Sequence, residues 1–328
     1  MKILIANDSK IPAARYGGTE RVIWGLGKHL HHLGHDVTFL VAPGSSCHFA
    51  EIIEWDKSRD INEQIPEDID VVHLNYQPTI PLKKPYITTF HGNVNHEFQF
   101  DKNTVFISAN QANRFHGKVY VHNGLDWSAY GKPELNNQRN YFHFLGDAAW
   151  KVKNVKGAIK LAAMANQKLA VLGGNRINFN MGFRFTPDLH VSFKGMVDDN
   201  QKRAYLQQSK GLIFPVLWHE PFGLAIIESL YFGCPVFGTA YGSLPELIIP
   251  EVGVTSNNMN VLADGIRNAD KYSRNICHDY AADNFSASVM GNRYIDLYEK
   301  VMNGEQLHES NPFFSTEDII HVKRLPMY

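Results

Sequence analysis

Cysteine is scarce in this chain of 328 residues. It holds three, Cys47, Cys234 and Cys277, an odd and scattered set that builds neither a disulfide framework nor a CxxC zinc pattern. Free thiols in a reducing cytosol are the expectation, and with them a cytoplasmic protein. An excess of one charge is missing too. Lys and Arg number 32 against 33 Asp and Glu, for a net charge of −1. Nucleic-acid binders normally carry a basic excess, so no nucleic-acid partner is expected. The longest greasy stretch, 212–238, is broken by His219, Glu220 and Glu228, which excludes it as a membrane span. The opening MKILIAND has an apolar run of four residues, too short for a secretion signal and suited to a first strand. No repeat of solenoid length is present.

What is there reads as globular. Apolar residues make up 44% and charged residues 20%, and the length suits two ordinary domains. Short β-branched runs alternate with helical periodicity. Strands are expected at 2–7, 37–41, 71–74, 86–90, 105–108 and 119–122, with a helix over 19–33. After a loop at 131–140 the pattern restarts, with strands at 141–145, 169–172, 191–193, 211–215 and 235–238. Helices are expected at 154–166, 198–209 and 224–232, the last stopped by Gly233 and Pro235. This alternation predicts an α/β fold of two doubly wound parallel-sheet domains, 1–136 and 137–285. An amphipathic helix at 286–302 and a tail at 303–328 follow. Ligands of such sheets sit at the carboxyl ends of the strands, so a cleft between two facing halves is the expected site.

Four segments carry chemistry. In Trp218-His219-Glu220-Pro221-Phe222-Gly223-Leu224, a carboxylate precedes a turn, and Glu228 lies inside the following apolar helix. Eight helical residues rise about 12 Å, so Glu220 and Glu228 cannot share one metal or proton. They suit the two ends of one long ligand. The amides of Phe222, Gly223 and Leu224 at the helix start suit an anion or a hydroxyl-rich ring. Glu228 needs a buried partner, which ribose hydroxyls would provide. A turn glutamate and a solvated helical glutamate would read the same way. In Tyr16-Gly17-Gly18-Thr19-Glu20-Arg21, paired glycines allow close approach of a phosphate, or simply make a strand-to-helix turn; the run is not GxGxxG. Gly146–Lys156 places Lys151, Lys153 and Lys156 after a strand, as point charges for a diphosphate or as a solvated turn. His91, followed by Gly92, stands at another strand end. His29, His31, His32 and His35 lack a further metal ligand nearby and suit a helix C-terminus.

Taken together, the motifs resemble the retaining glycosyltransferases of family 4, whose GT-B architecture sets two Rossmann-like domains face to face. The resemblance spans 2–302. HEPFG followed by Glu228 resembles the family's E-x(7)-E signature, and YGGTERV its glycine loop. Asp70-Val71-Val72-His73, Asn123-Gly124-Leu125-Asp126, Gly195-Met196-Val197-Asp198-Asp199, Gly233-Cys234-Pro235-Val236 and Gly242-Ser243-Leu244-Pro245-Glu246 follow in the family's order. The resemblance implies a nucleotide-sugar donor and a saccharide or lipid-linked acceptor. It implies no cofactor and no required metal, and a role in envelope or capsule polysaccharide assembly. A lipid-linked acceptor would bring the protein peripherally to the inner membrane face. Glu220 would contact the sugar, Glu228 the ribose, Phe222, Gly223 and Leu224 the sugar through backbone, and Gly17 and Gly18 the diphosphate. His91 would sit beside the anomeric centre. The last helix would pack back on the first domain. The family's lysine aligns with Lys153. Its arginine falls on Asp147 or Ala148, and Lys151 is expected to supply the missing charge. The rival readings are a nucleotide-sugar 2-epimerase or hydrolase on the same fold, and a non-catalytic nucleotide-sugar-binding subunit.

Overall fold

The computed structural model describes residues 1–13, 17–318 and 325–328. The chain forms two compact units, Met1–Trp127 with Phe285–Ile320, and Ser128–Asn284 with His321–Tyr328. The first unit therefore ends earlier than the expected 136. Asn137 and Arg139 belong to the second unit, where their side chains bond the carbonyls of Gln207, Ser209, Phe232 and Gly233.

The first unit is built on six parallel strands: β1 (Lys2–Ala6), β2 (Asp36–Val41), β3 (Glu51–Glu54), β4 (Val71–Leu74), β5 (Tyr86–Phe90) and β6 (Thr104–Phe106). They lie in the order β3-β2-β1-β4-β5-β6. The central strands are near-continuous apolar runs because helices cover both faces; Ile3, Leu4, Ile5 and Ala6 are fully buried. The edge strand β3, EIIE, has exposed glutamates at both ends and was not expected from its sequence. The strand expected at 119–122 is a single bridge from Tyr120 to Phe106. Phe106 alone exchanges hydrogen bonds with Val119 and Val121, so no ladder extends. Ser108 ends its strand early to cap the short helix Ala109–Arg114.

The late helix Ala287–Met302 packs on this unit. Ser286 caps it, and the 123–126 segment is laced to its start through Leu125. Tyr298 and Tyr294 descend from it into a buried polar network: His73 Nδ1 meets Tyr298 Oη at 2.8 Å, His73 Nε2 meets Thr89 Oγ1 at 2.7 Å, and Thr89 meets Tyr294 Oη at 2.9 Å. In the tail, Phe313–Phe314 pair antiparallel with Phe98–Gln99.

The second unit repeats the topology with β7 (Tyr141–Leu145), β8 (Leu169–Leu172), β9 (Val191–Phe193), β10 (Ser209–Phe214), β11 (Val236–Gly238) and β12 (Gly253–Thr255), in the order β9-β8-β7-β10-β11-β12. Both units thus share the doubly wound order of a Rossmann fold, which reverses direction between its first and fourth strands and binds ligands outside the carboxyl ends there. One core packs Phe142, Phe144, Val171, Ile213 and Phe237 against Leu161, Leu262 and Ile266. A small antiparallel hairpin, Ile177–Asn178 with Arg184–Phe185, is inserted between β8 and β9. Among the described residues no helix is long and apolar enough to cross a membrane.

Two outcomes follow. Tyr298→Phe leaves His73 Nδ1 buried without its partner and should lower the unfolding free energy by about 1–3 kcal/mol, read by urea denaturation. Burial pushes His73 down to about 3, His91 down to about 4 and His143 down to about 3. Each is neutral when folded and takes up a proton near pH 6.5 when unfolded. Stability should therefore fall as pH drops below about 6.5, before most carboxylates protonate, so urea midpoints should be lower at pH 5 than at pH 7.

Candidate functional site

The reversal point of the second sheet lies between β7 and β10. The loops leaving these two strands carry opposite charges that meet. From β7, the chain turns through Gly146 and Asp147 into a short 3-10 turn, Lys151–Lys153. Asn154 ends that turn and caps the helix Val155–Met164, its side chain accepting from Gly157 N. From β10, the chain passes Pro215 to Glu220. Asn154 Nδ2 donates to Pro215 O at 2.8 Å and Leu217 N to Val152 O at 2.8 Å, so the two loops are bound to each other. Lys153 Nζ then reaches both oxygens of Glu220, at 2.9 and 2.7 Å.

This pair is nearly dry, the two side chains being 12% and 8% exposed. Trp218 Nε1 donates to Glu220 Oε2 at 2.7 Å, and its ring lies 4.9 Å from the Lys153 ammonium, which also faces Trp150 and Phe214. The ammonium is thus held by one carboxylate and three aromatic faces. Trp218 touches both charges, a role its place in the motif did not reveal.

The backbone behind Glu220 is equally constrained. A Cβ on Gly242 would lie 2.3 Å from Glu220 N, so only glycine lets that turn pass. Ser243 N donates to Glu220 O at 3.0 Å and Ser243 Oγ donates to Phe222 O. Phe222 is buried. Gly223, at φ 96, is the N-cap of the helix Leu224–Tyr231, a left-handed conformation that glycine adopts without strain. Glu228 lies within this helix, and its Oε1 accepts from Tyr130 Oη at 2.6 Å and Lys202 Nζ at 2.5 Å. Sequence reasoning missed both partners. Lys202 sits on the helix Asp199–Gln207, whose capping box at Asp198 was within reach of the GxVxD segment.

The remaining expected residues lie elsewhere. Lys151 is exposed. Gly17 and Gly18 open the helix Gly18–His32 in the first unit, and a Cβ on Gly17 would lie 2.6 Å from Glu20 Oε2, so the Glu20 carboxylate folds over the helix start. Tyr16 falls outside the described residues. His91, also in the first unit, bonds Asn75 Oδ1 through Nε2 at 2.8 Å, and both stand at strand ends beside the reversal point between β1 and β4. The four clustered histidines do not converge: His29 bonds Asn292, His35 the N-terminus, and His31 faces Phe49.

Residues 128–282 match the family model of the glycosyl transferases, group 1. The match covers nearly all of the second unit. Among solved structures, AviGT4, a glycosyltransferase involved in avilamycin A biosynthesis, superposes with a TM-score of 0.77 at 19% identity, covering 92% of this chain and 98% of its own. Sucrose-phosphate synthase from Thermosynechococcus elongatus gives 0.67 at 18% identity, covering 93% and 100%. HepE from Anabaena, in complex with UDP and glucose, gives 0.63 at 15% identity, covering 91% and 99%. The chain has the GT-B fold. One curated relative, an uncharacterized 41.2 kDa protein in the cps region of Klebsiella pneumoniae, is 27% identical over 117 residues. That stretch is 34% of this chain and 32% of the relative, so the chain matches about a third of the relative's length.

Breaking the pair should be costly. Lys153→Met strands Glu220 without its counter-charge and should destabilise the second unit by about 3–5 kcal/mol, while Lys153→Met with Glu220→Met should recover much of the loss. Urea unfolding of both variants checks it.

Proposed function

We propose that the chain is a retaining glycosyltransferase of family 4 that moves a hexosyl group from a nucleotide-sugar donor to a saccharide or lipid-linked acceptor, without metal. The observation that carries this reading is the Lys153–Glu220 pair at the reversal point of the second sheet, with Glu228 on the adjoining helix. The pair suits a zwitterionic exchange. A donor offers hydroxyls to Glu220 and a negative diphosphate to Lys153, so that one desolvated pair is replaced by two satisfied groups. The amides at Gly223 and Leu224 add donors where the helix begins. Glu228 then takes the ribose hydroxyls, competing with Tyr130 and Lys202.

In the transfer step the bond between the anomeric carbon and the diphosphate oxygen breaks. Its electron pair leaves on the diphosphate, where the Lys153 ammonium stabilises the new charge. The acceptor hydroxyl oxygen bonds to the anomeric carbon on the same face and passes its proton to the departing phosphate oxygen. Retention and metal independence rest on the family resemblance, as do the assignments of His91 to the anomeric side and of Gly17 and Gly18 to the diphosphate. His91, pushed down to about 4 by burial, is neutral near pH 7 and suits hydrogen bonding to a sugar. UDP and glucose in HepE and the cps-region setting of the Klebsiella relative favour a hexose donor and capsule or envelope polysaccharide assembly. A lipid-linked acceptor would bring the chain to the inner membrane face peripherally.

A thermal-shift series with UDP, GDP, ADP, CMP and dTDP, with and without Mg²⁺, should single out one diphosphate, indifferent to metal. Turnover of the matching nucleotide sugar should fall about a hundredfold or more in Glu220→Gln. Full turnover in that variant, or no shift with any nucleotide, removes the reading.

A further inference from the structure

The loop from β7 carries an acidic residue, Asp147, at the strand end where a cation is expected, and its Oδ1 is occupied by Ala149 N at 2.8 Å. A guanidinium reaches the same place from another element. In the inserted hairpin, Ile177 pairs with Phe185 and Asn178 with Arg184. Two-residue alternation puts Ile177, Phe179, Phe183 and Phe185 on one face, where all four are exposed. Arg184 lies on the opposite face and is 9% exposed.

Its guanidinium sits over the carboxyl ends of β7 and β8. Nη1 donates to Ala148 O, three residues past the end of β7, and Nη2 donates to Asn175 O at 3.0 Å. Nε is buried with no hydrogen-bond partner. The Phe193 ring lies 5.4 Å away. Among the described residues no carboxylate makes an ion pair with it within 4.0 Å. Asp147 acts on it only from farther off, while burial holds the guanidinium below its ordinary value. Two neutral carbonyls orient this cation without neutralising it. Three of its five N–H bonds remain beyond those given to the carbonyls. A buried cation without a counter-charge, at the ligand-bearing edge of a doubly wound sheet, calls for an anion.

We propose that Arg184 supplies the guanidinium for the donor's diphosphate, delivered by the hairpin rather than by the loop after β7. This deepens the transferase reading and rests on it for the identity of the anion. Lys153 and Arg184 then take the diphosphate from two sides of the Gly146–Lys153 loop. Lys151, which is exposed, is not needed for that charge. The arrangement also explains how an aspartate is tolerated at 147: its carboxylate is engaged by the Ala149 amide, turned into the loop's own backbone.

The test uses the full chain and inorganic pyrophosphate, followed by isothermal titration. Arg184→Gln should weaken pyrophosphate binding about tenfold or more, and Arg184→Lys should restore part of it. Asp147→Asn keeps the oxygen that accepts from Ala149 but removes the opposing charge, and should tighten binding several-fold. Arg184→Gln that stays folded and binds as the parent does overturns the proposal. Should Arg184→Gln fail to fold, because it also loses the clip to Ala148, Asp147→Asn decides: unchanged affinity overturns the proposal. A parent chain that binds no pyrophosphate overturns it as well. Donor turnover, measured separately in the parent and in Glu220→Gln, tells that outcome apart from failure of the transferase reading.

Discussion

The buried ion pair of Lys153 and Glu220 organises the carboxyl edge of the second unit's sheet. Lys153 and Glu220 come from loops that leave adjacent strands, 67 residues apart in sequence, and neither charge is stable there without the other. Much of the surrounding structure serves to make their meeting possible. Asn154 and Leu217 tie the loops together, Gly242 clears room for the backbone of Glu220, and Trp218 closes over both heads. A polar contact of this kind stabilises little in net terms compared with packed apolar residues, yet it leaves a high penalty for any other arrangement. What it provides is a pair of charges that can meet any other group only by being separated.

The first unit uses polar burial differently. Its His73, Thr89, Tyr294 and Tyr298 network is neutral and closed, and it fastens a distant helix to the middle of a sheet. Hydrogen-bonded hydroxyls and an uncharged imidazole satisfy one another there without any buried charge.

The sequence disclosed those parts whose signal is local. Strands buried on both faces stood out as apolar runs, and Glu220 and Glu228 stood out because a turn and an apolar helix frame them. Lys153 was one of three lysines, and only the capping of the next helix by Asn154 shows which one turns inward. What stayed hidden depends on distant partners. Tyr130 is 98 residues from Glu228, and Lys202 is 26 away. The edge strand β3 lacked an apolar pattern because its ends face water. The stretch 119–122 had the pattern but only one residue to pair with. Arg184 was concealed in an alternation of aromatic and polar residues between two expected strands, since nothing in its neighbours says that a hairpin folds back over β7.

The placement of the late helix has a consequence for synthesis on the ribosome. Nearly all of the second unit lies in one continuous segment, Ser128–Asn284, whereas the first is interrupted and resumes at Phe285. His73 emerges 225 residues before Tyr298, a wait of roughly 11–45 s at common translation rates. During that interval the first sheet has no Ala287–Met302 helix to cover it, and His73 and Thr89 lack their tyrosine partners, Tyr298 and Tyr294. The nascent chain therefore holds nearly all of its later unit before the late helix of the earlier one has emerged, and the exposed face of the first sheet is the surface on which a chaperone would act.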